Sequence, residues 1–234
     1  MQPEPDVQAP ARDRTLIVVF IAIVVAVVLT RIVGAVARTG GLPSPVAQVL
    51  ASDLAVWVPL VIGAVVALRG TRAVRPLFRL DLADVVAAIG IVVVCRAVDA
   101  GMSLSFFGTT GLTPAPTLGN LSVVLLLVAA IGTCIVSPVV EELVFRGILQ
   151  RRLADALTPR TRFLAVVVTA FVFAIVHVVI GAGGSTLGGF EVFVTTFLLG
   201  LLTGTLVAMT DRIGGAILAH AVFNAVAVVA TWPR

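Results

Sequence analysis

The sequence predicts an all-α fold, a polytopic transmembrane bundle of about seven helices. Apolar residues make up 59% of the 234 residues, charged residues only 12%, and the mean hydropathy is +1.16. Soluble chains carry roughly a quarter charged residues. Several apolar stretches reach the ~20 residues that a membrane-crossing helix needs. Arginine is concentrated in alternate connections between these stretches.

Seven apolar stretches of helix length follow one another along the chain. They are residues 15–37, 46–68, 82–100, 120–148, 163–181, 190–210 and 213–232. The first follows a polar tail at 1–14 and exceeds the ~7–15-residue apolar core of a signal peptide, so we expect a retained helix. The chain then divides into a cytoplasmic N-terminal tail at 1–14, three N-terminal transmembrane helices within 15–118 and a core of four helices within 119–234, which carries both histidines.

The connections between the stretches are rich in Gly, Pro and Arg, which interrupt apolar helices. In chain order they are 40–43, 69–79, 114–119, 159–162, 181–189 and 211–212. Arg12, Arg14, the arginines at 69–79, those at 151–162 and Arg212 all fall on one side of a seven-helix bundle. The positive-inside rule therefore predicts a cytoplasmic N-terminus and an outside C-terminus.

The basic residues also bear on partners and location. The net charge of +4 does not indicate nucleic acid, because the arginines lie in short loops between apolar runs. The expected partner is the lipid bilayer. All 16 basic residues are arginine in an Ala- and Val-rich chain, which favours a bacterial plasma membrane.

Cys95 and Cys134 lie far apart in apolar stretches, and we expect buried thiols rather than a disulfide or a metal pair.

Ionisable side chains inside apolar helices are costly, so each one needs an explanation. Arg31 and Arg96 can snorkel to an interface, and Arg96 with Asp99 forms a plausible i, i+3 pair. Asp53 lies a turn or two into its helix, where a structural and a functional role are equally open. Glu191 stands at the start of a stretch.

The segment from Glu141 to Arg146 brings two adjacent carboxylates into low dielectric after a long uncharged run. Glu142 and Arg146 are i, i+4 neighbours on a helix and can neutralise one another. Glu141 points about 100° away and has no local partner. An unpaired carboxylate in such surroundings is the kind of group that general acid–base catalysis uses. An interfacial cluster that caps a helix end is the alternative.

The chain has two histidines, and both lie in apolar helices. His177 closes Phe-Ala-Ile-Val-His at 173–177, and His220 opens His-Ala-Val-Phe-Asn at 220–224. A lone histidine in an apolar helix is more often structural, but His220 and Asn224 are one turn apart on the same face. Imidazole and amide groups offer donors and acceptors. Together with a carboxylate they could activate water and stabilise an oxyanion.

Helix geometry tests whether these groups can meet. Measured from the nearest loop arginine at ~1.5 Å per residue, Glu141, His220 and His177 lie ~16, ~12 and ~22 Å deep. The depths overlap if the fourth helix continues to about residue 150, and His177 fits least well. We therefore expect a buried site reached from the cytoplasmic half.

Three motifs in this order on successive apolar helices resemble those of the CPBP family. They are Glu-Glu-x-x-x-Arg at 141–146, Phe-x-x-x-His at 173–177 and His-x-x-x-Asn at 220–224. The family, also called Abi, comprises type II CAAX prenyl endopeptidases and bacteriocin-processing or self-immunity membrane proteins. The resemblance covers about residues 120–230 and uses both histidines, which makes it more specific than any one motif.

The resemblance implies an intramembrane endopeptidase that acts on a membrane-associated peptide or protein. Glu141, helped by His177, would activate the hydrolytic water. His220 and Asn224 would bind the developing oxyanion or help to hold the water. No residue in the sequence encodes a preference for a prenylated substrate.

The resemblance also implies supporting roles and leaves the cofactor open. Glu142 and Arg146 would orient the site, and Phe173 would pack beside it. Glu141, His177 and His220 could hold Zn²⁺ with one open position. A Glu–His pair can equally activate water with no metal.

Two other classes of function stay open. Buried Glu, His and Arg could form the proton relay of a transporter, although the two halves show no matching interrupted helices. A non-catalytic bacteriocin-immunity or scaffold protein would retain the fold and the motifs. His-Glu-x-x-His and Gly-x-Gly-Asp, which mark other intramembrane proteases, do not occur in the sequence.

Overall fold

The computed structural model describes residues 9–69, 78–114, 122–181 and 184–233. Within these ranges the chain forms seven helices and no strands. They are α1 (Ala9–Arg38), α2 (Pro45–Leu68), α3 (Leu82–Phe107), α4 (Val123–Ala156), α5 (Phe163–Ile180), α6 (Thr186–Thr210) and α7 (Gly214–Ala230). The prediction of an all-α bundle of about seven helices is confirmed.

Six of the helices described are long and apolar enough to cross a membrane, namely α1 over Arg14–Arg38 and α2 to α6. The seventh, α7, has 17 residues, fewer than the ~20 that span a bilayer. The chain is therefore an integral membrane protein with six helices of spanning length. Most of the predicted tail at 1–14, together with Arg72 and Arg75 of the second connection, lies outside the described residues.

Local signals set the helix ends. Ser44 caps α2, its Oγ accepting a hydrogen bond from a backbone N–H at 3.2 Å. Asp84 in the first turn of α3 accepts from the Asp81 N–H at 2.9 Å. Gly108, with φ of 70°, ends α3 in the left-handed conformation that glycine adopts without strain. Because that signal comes late, α3 extends seven residues past the predicted boundary at 100.

The fourth helix is the longest, at 34 residues, and it contains two π-helical segments. These are Gly132–Val136 and Leu143–Gln150, separated by a short α-helical stretch, Ser137–Glu142. At ~1.5 Å per residue a helix of this length measures about 50 Å, against ~30 Å for the hydrocarbon core. The prediction that this helix continues to about residue 150 is confirmed. The π-helical turns, which are frequent at functional sites, flank the two adjacent glutamates.

The helices pack around α4. The pair α1 and α2 lies on one side, the pair α5 and α6 on another, and α3 packs against α6 and α7. α4 contacts both pairs and α7. Side chains on α4 therefore meet residues from most of the bundle.

A cluster of charges in the loop after α6 fixes the start of α7. Arg212 forms ion pairs with the carboxylates of Asp84 and Asp81, both at 3.0 Å. The hydrogen bonds that Arg212 donates to the Asp84 carboxylate raise the pKa of Arg212 above its ordinary value. Gly215 brings the first turn of α7 close to Asp84, because an added Cβ would lie 3.0 Å from the Asp84 Cβ. The α6–α7 connection is thereby tied to the first turn of α3.

Burial differs between the two ends of the bundle. We call the end with the connections 69–79, 151–162 and 211–212 the arginine-rich end. Toward it α4 is buried without interruption from Val144 to Gln150. In Val123–Val136, toward the opposite end, only Gly132 is buried. The buried residues of the other helices likewise concentrate in the halves nearer the arginine-rich end.

Candidate active site

An ion pair between Glu142 and Arg146 forms the buried centre of the site. Nη1 of Arg146 lies 3.1 Å from Oε1 of Glu142. The two residues are 0% and 1% exposed. Removing each charge from water costs several kcal/mol, and the attraction between the two ions offsets that cost. Loss of either partner would leave the other charge buried without a counter-ion. The predicted i, i+4 pair is confirmed.

His220 joins this pair from α7. Its Nδ1 lies 3.0 Å from the same Oε1 of Glu142, and the residue is 3% exposed. The carboxylate of Glu142 is therefore shared between Arg146 on its own helix and His220 on another. The sequence linked Glu142 to Arg146 only, because a contact between residues 78 positions apart leaves no local signal.

The carboxylate of Glu141 faces His177, the other histidine of the chain. Nε2 of His177 lies 3.6 Å from Oε2 of Glu141. Within the part of the chain that the structure describes, this oxygen is buried and has no hydrogen-bond partner. The His177 side chain is 30% exposed, against 12% for Glu141. His177, which fits least well by helix depth, is thus the histidine beside Glu141.

Phe173 lies between the two glutamate–histidine pairs. The residue is fully buried, and its ring centroid lies 4.2 Å from that of His177 and 5.8 Å from that of His220. The guanidinium carbon of Arg146 lies 4.2 Å from the same ring centroid, a cation–π distance. Phe173 thus packs against both histidines and Arg146.

Phe173 also orients His177 through its backbone. Nδ1 of His177 lies 2.9 Å from the carbonyl oxygen of Phe173, one turn earlier in α5. A carbonyl oxygen only accepts, so Nδ1 carries the hydrogen of this bond. Nε2 is consequently the ring nitrogen directed at Glu141.

Asn224 lies one turn after His220 and contacts the first π-helical segment of α4. Its Nδ2 donates a hydrogen bond to the Thr133 carbonyl oxygen at 2.8 Å. This bond uses one of the two amide hydrogens. Asn224 therefore links α7 to α4 eight residues before Glu141.

Two glycines let α6 approach the charged centre. A Cβ at Gly200 would lie 3.2 Å from Nη2 of Arg146 and 3.1 Å from Cα of Ala170. A Cβ at Gly204 would lie 2.7 Å from Oε1 of Gln150. Nε2 of Gln150 donates to the Gly204 carbonyl oxygen at 2.8 Å. The Gly-x-x-x-Gly spacing of these two residues thus allows close helix packing and makes room for Arg146.

The part played by Gln150 could have been found in the sequence. It lies four residues after Arg146 on α4 and is 3% exposed. A glutamine one turn beyond a buried arginine, in an apolar segment, indicates a further polar layer of the core. Gln150 was not among the predicted site residues because it is uncharged and belongs to none of the three motifs.

The three residues that could hold zinc do not form one cluster. His177 faces Glu141, whereas His220 faces Glu142. Among the residues described, no group of three His, Cys, Asp or Glu side chains could hold a metal ion. As they are placed, Glu141, His177 and His220 do not fit a zinc site.

Away from the site, the predicted Arg96–Asp99 pair is confirmed, whereas the predicted snorkelling of Arg96 is not observed. Arg96 and Asp99 form an ion pair at 2.7 Å. Arg96 also donates from Nε to the Phe223 carbonyl oxygen at 3.1 Å, so it reaches a neighbouring helix instead of an interface. Cys95 is buried, Cys134 is half-buried, and both are free thiols.

Comparison with known proteins supports the resemblance drawn from the motifs. Residues 123–226 match the family model described as type II CAAX prenyl endopeptidase Rce1-like. The matched segment starts at α4 and includes all seven candidate site residues. The search of curated proteins and the search of solved structures found no match.

Proposed function

We propose that this protein is an intramembrane endopeptidase that hydrolyses a peptide bond of a membrane-associated peptide or protein. The observation that carries the proposal is the pair formed by Glu141 and His177. Its facing atoms are 3.6 Å apart, the glutamate oxygen is buried without a hydrogen-bond partner among the described residues, and the imidazole is partly exposed. The family match over 123–226 supports the same reaction class.

The geometry of this pair suits activation of a water molecule. With its hydrogen on Nδ1, the neutral His177 ring presents a lone pair on Nε2 toward Glu141. A water molecule can donate one hydrogen bond to Nε2 and one to the carboxylate. Glu141 then takes a proton as the water oxygen attacks the peptide carbonyl carbon, and returns it to the leaving nitrogen as the C–N bond breaks.

The other pair is suited to stabilising the negative charge that develops on the peptide oxygen. Glu142 accepts the hydrogen bond from Nδ1 of His220 and so fixes the orientation of the ring. Arg146 balances the charge of Glu142. Stabilising the oxyanion requires the doubly protonated His220 ring, which donates from Nδ1 to Glu142 and from Nε2 to the oxyanion, and we assign the remaining amide hydrogen of Asn224 as a further donor.

The location and orientation are part of the proposal. The arginine distribution supports a bacterial plasma membrane protein with a cytoplasmic N-terminus and an outside C-terminus. Membership in the wider CPBP or Abi superfamily rests on the three motifs. The non-catalytic immunity or scaffold role and the transporter are the outcomes that a failed cleavage experiment would favour.

The decisive experiment replaces Glu141 by Gln, which keeps the shape of the side chain and removes the base. Membrane peptides from cells with the wild-type and the Glu141→Gln protein are compared by mass spectrometry, and those that accumulate are synthesised and tested with purified protein in proteoliposomes. We expect kcat to fall by about 10²–10⁴-fold in Glu141→Gln and in His177→Ala.

A matched control separates catalysis from the general loss of a carboxylate. Glu191→Gln removes a glutamate from the first turns of α6, and we expect cleavage to be unchanged. Cleavage that persists in Glu141→Gln and in His177→Ala would refute the assignment. Loss of proton-driven flux in the same two variants, without any peptide cleavage, would favour a transporter.

A further inference from the structure

A cavity of about 840 Å³ lies at the arginine-rich end, where α4 and α6 end and α5 begins. Sites that bind small molecules have volumes of about 300–1,000 Å³. The two glutamates and two histidines of the candidate active site do not line this cavity. Gln150 lies in its wall, and the side chain of Gln150 is held by a hydrogen bond of 2.8 Å to the Gly204 carbonyl oxygen. The cavity is therefore separate from the candidate active site.

The walls of the cavity come from one face of each of the three helices. On each helix, residues four apart line it, which is the spacing of neighbours on one helix face. They are Gly147 and Arg151 on α4, Phe163 and Val167 on α5, and Leu201 and Thr205 on α6. Phe163 is 63% exposed, and Met209 on the opposite wall is 80% exposed. Large apolar side chains that stay exposed on membrane-spanning helices face lipid, so the cavity opens toward the bilayer.

Cations outnumber anions in the wall of the cavity. Its charged residues are Arg151, Arg152, Arg162, Asp155 and Asp211. Arg151 pairs with Asp211 at 2.9 Å. The contact between Arg162 and Asp155 is 3.9 Å long and exposed on both sides, and such a pair contributes little. Arg152 forms no ion pair with the carboxylates that the structure describes. Two guanidiniums are thus available to an anion.

The charged and apolar walls follow one another along the helix axes in the order of the parts of a phospholipid. The arginines lie near the helix ends, at the depth of lipid phosphates. Val167 lies five residues inward from Arg162, or ~7 Å, and Leu201 lies ten residues inward from Asp211, or ~15 Å. A free phosphate ion would cover the arginines and leave this apolar wall empty, whereas an acyl chain would fill it.

We propose that this cavity binds one anionic phospholipid from the leaflet at the arginine-rich end. Arg152 and Arg162 hold the phosphate, and an acyl chain covers Val167 and Leu201. In the orientation proposed above this is the cytoplasmic leaflet, and basic pockets between helices on that side are typical sites for anionic headgroups. The lipid joins the ends of α4, α5 and α6 outside the candidate active site. The inference therefore does not depend on peptide hydrolysis.

Native mass spectrometry of the purified full chain tests this inference. The protein in detergent micelles is titrated with dioleoylphosphatidylglycerol, which is anionic, or with dioleoylphosphatidylcholine, which has the same acyl chains and no net charge. We expect the first phosphatidylglycerol to bind about tenfold more tightly than phosphatidylcholine, because the two available guanidiniums favour the lipid with a net negative charge.

A double variant, Arg152→Gln with Arg162→Gln, removes the two available cations and leaves the ion pair of Arg151 in place. We expect the Kd for phosphatidylglycerol to rise about tenfold or more. Arg14→Gln with Arg160→Gln is the matched control, because it removes the same charge from exposed residues of the same end that do not line the cavity. In this control the Kd should rise by less than about twofold.

A second variant, Ala208→Phe, fills the apolar part of the cavity and keeps every charge. Ala208 lines the cavity and is exposed, so the larger side chain enters the cavity without displacing the core. We expect the phosphatidylglycerol adduct to be lost. Val86→Phe adds the same ring at a residue of α3 that is 64% exposed and should bind as the wild type does. The charge variant and the filled variant act differently, so a folding defect in one leaves the other to decide.

Equal binding of the two lipids by the wild type would overturn the inference, and so would a loss of affinity in the Arg14 and Arg160 control as large as in the cavity variant. Displacement of phosphatidylglycerol by inorganic phosphate would identify an ion site, and displacement by hexaglutamate would identify a site for an acidic protein segment. Either result would contradict a lipid site. A protein that binds the lipid as expected but cleaves nothing would contradict the proposed protease alone.

Discussion

At the scale of single residues, the two glutamates have different surroundings although they are adjacent in sequence. Glu142 lies 3.1 Å from Nη1 of Arg146 and 3.0 Å from Nδ1 of His220, whereas Glu141 faces the partly exposed His177. Arg146 pairs with Glu142 because the two residues are i, i+4 neighbours on one helix. In the proposed reaction Glu142 is the supporting carboxylate and Glu141 the one that takes the proton.

The burial of the Glu142–Arg146 pair predicts a large asymmetry among its variants. Arg146→Met leaves the Glu142 carboxylate buried without its cation, and we expect the free energy of unfolding to fall by about 3–5 kcal/mol. Glu142→Gln combined with Arg146→Met removes both charges, so the loss should be smaller than in the single variant. Unfolding by SDS titration of the protein in mixed micelles measures both.

The contradictory outcome is a double variant that is less stable than Arg146→Met alone. That result would mean that the hydrogen bond of Glu142 with His220 contributes more than the ion pair. Asp155→Asn, which alters an exposed ion pair with Arg162 at 3.9 Å, serves as a control and should change stability by less than about 1 kcal/mol.

Local contacts of the site could be predicted from the sequence, and distant ones could not. The Glu142–Arg146 and Arg96–Asp99 pairs follow from spacings of four and three residues on one helix. The contacts of His220 with Glu142 and of His177 with Glu141 depend on how three helices are placed. The motif resemblance brought these residues into one site and paired His177 with Glu141, but it did not indicate that His220 contacts Glu142.

At the scale of helices, close approach of α6 to α4 and α5 depends on Gly200. We expect Gly200→Ala to lower the free energy of unfolding by about 1–3 kcal/mol, because the added methyl group must displace Arg146 or Ala170. Cleavage should fall as well, since Arg146 positions Glu142. Unfolding and kcat are measured on the same preparation.

Gly90→Ala is the matched control for this substitution. Gly90 lies inside α3, and a Cβ there meets nothing within 4 Å. Alanine favours the helix by about 0.5–1 kcal/mol over glycine, so this variant should be as stable as the wild type or more stable. Equal losses in both variants would contradict the close-packing role of Gly200.

Helices were easier to predict than their irregularities. All seven apolar stretches correspond to helices, because hydropathy and the Gly, Pro and Arg connections both mark them. The two π-helical segments of α4 had no signal in the sequence. A π-helical turn is stabilised by packing against neighbouring helices. It therefore depends on the tertiary structure and not on the local sequence.

At the scale of the whole molecule, the arginine distribution predicts the sidedness of the bundle. Alkaline phosphatase fused to the C-terminus is active only when it is exported, so we expect high activity from a fusion after Arg234. A fusion within the connection after α4, at Pro159, should be inactive. Activity from the Pro159 fusion and none from the C-terminal fusion would contradict the proposed orientation.

The distribution of packing along the bundle could not be predicted. Apolar residues fill both ends of every helix, and hydropathy does not distinguish those that face a neighbouring helix from those that face lipid. Only the placement of the helices reveals that the buried side chains concentrate toward the arginine-rich end.

Because of this unequal packing, the two ends of the bundle differ in how well they tolerate substitutions. Substitutions in the tightly packed half alter the core and are removed when the protein fails to fold. Toward the opposite end, positions such as Thr133 and Ile135 are exposed and contribute little to the core. The fold should therefore tolerate substitutions at these positions far better than substitutions in the packed half that surrounds the two glutamates.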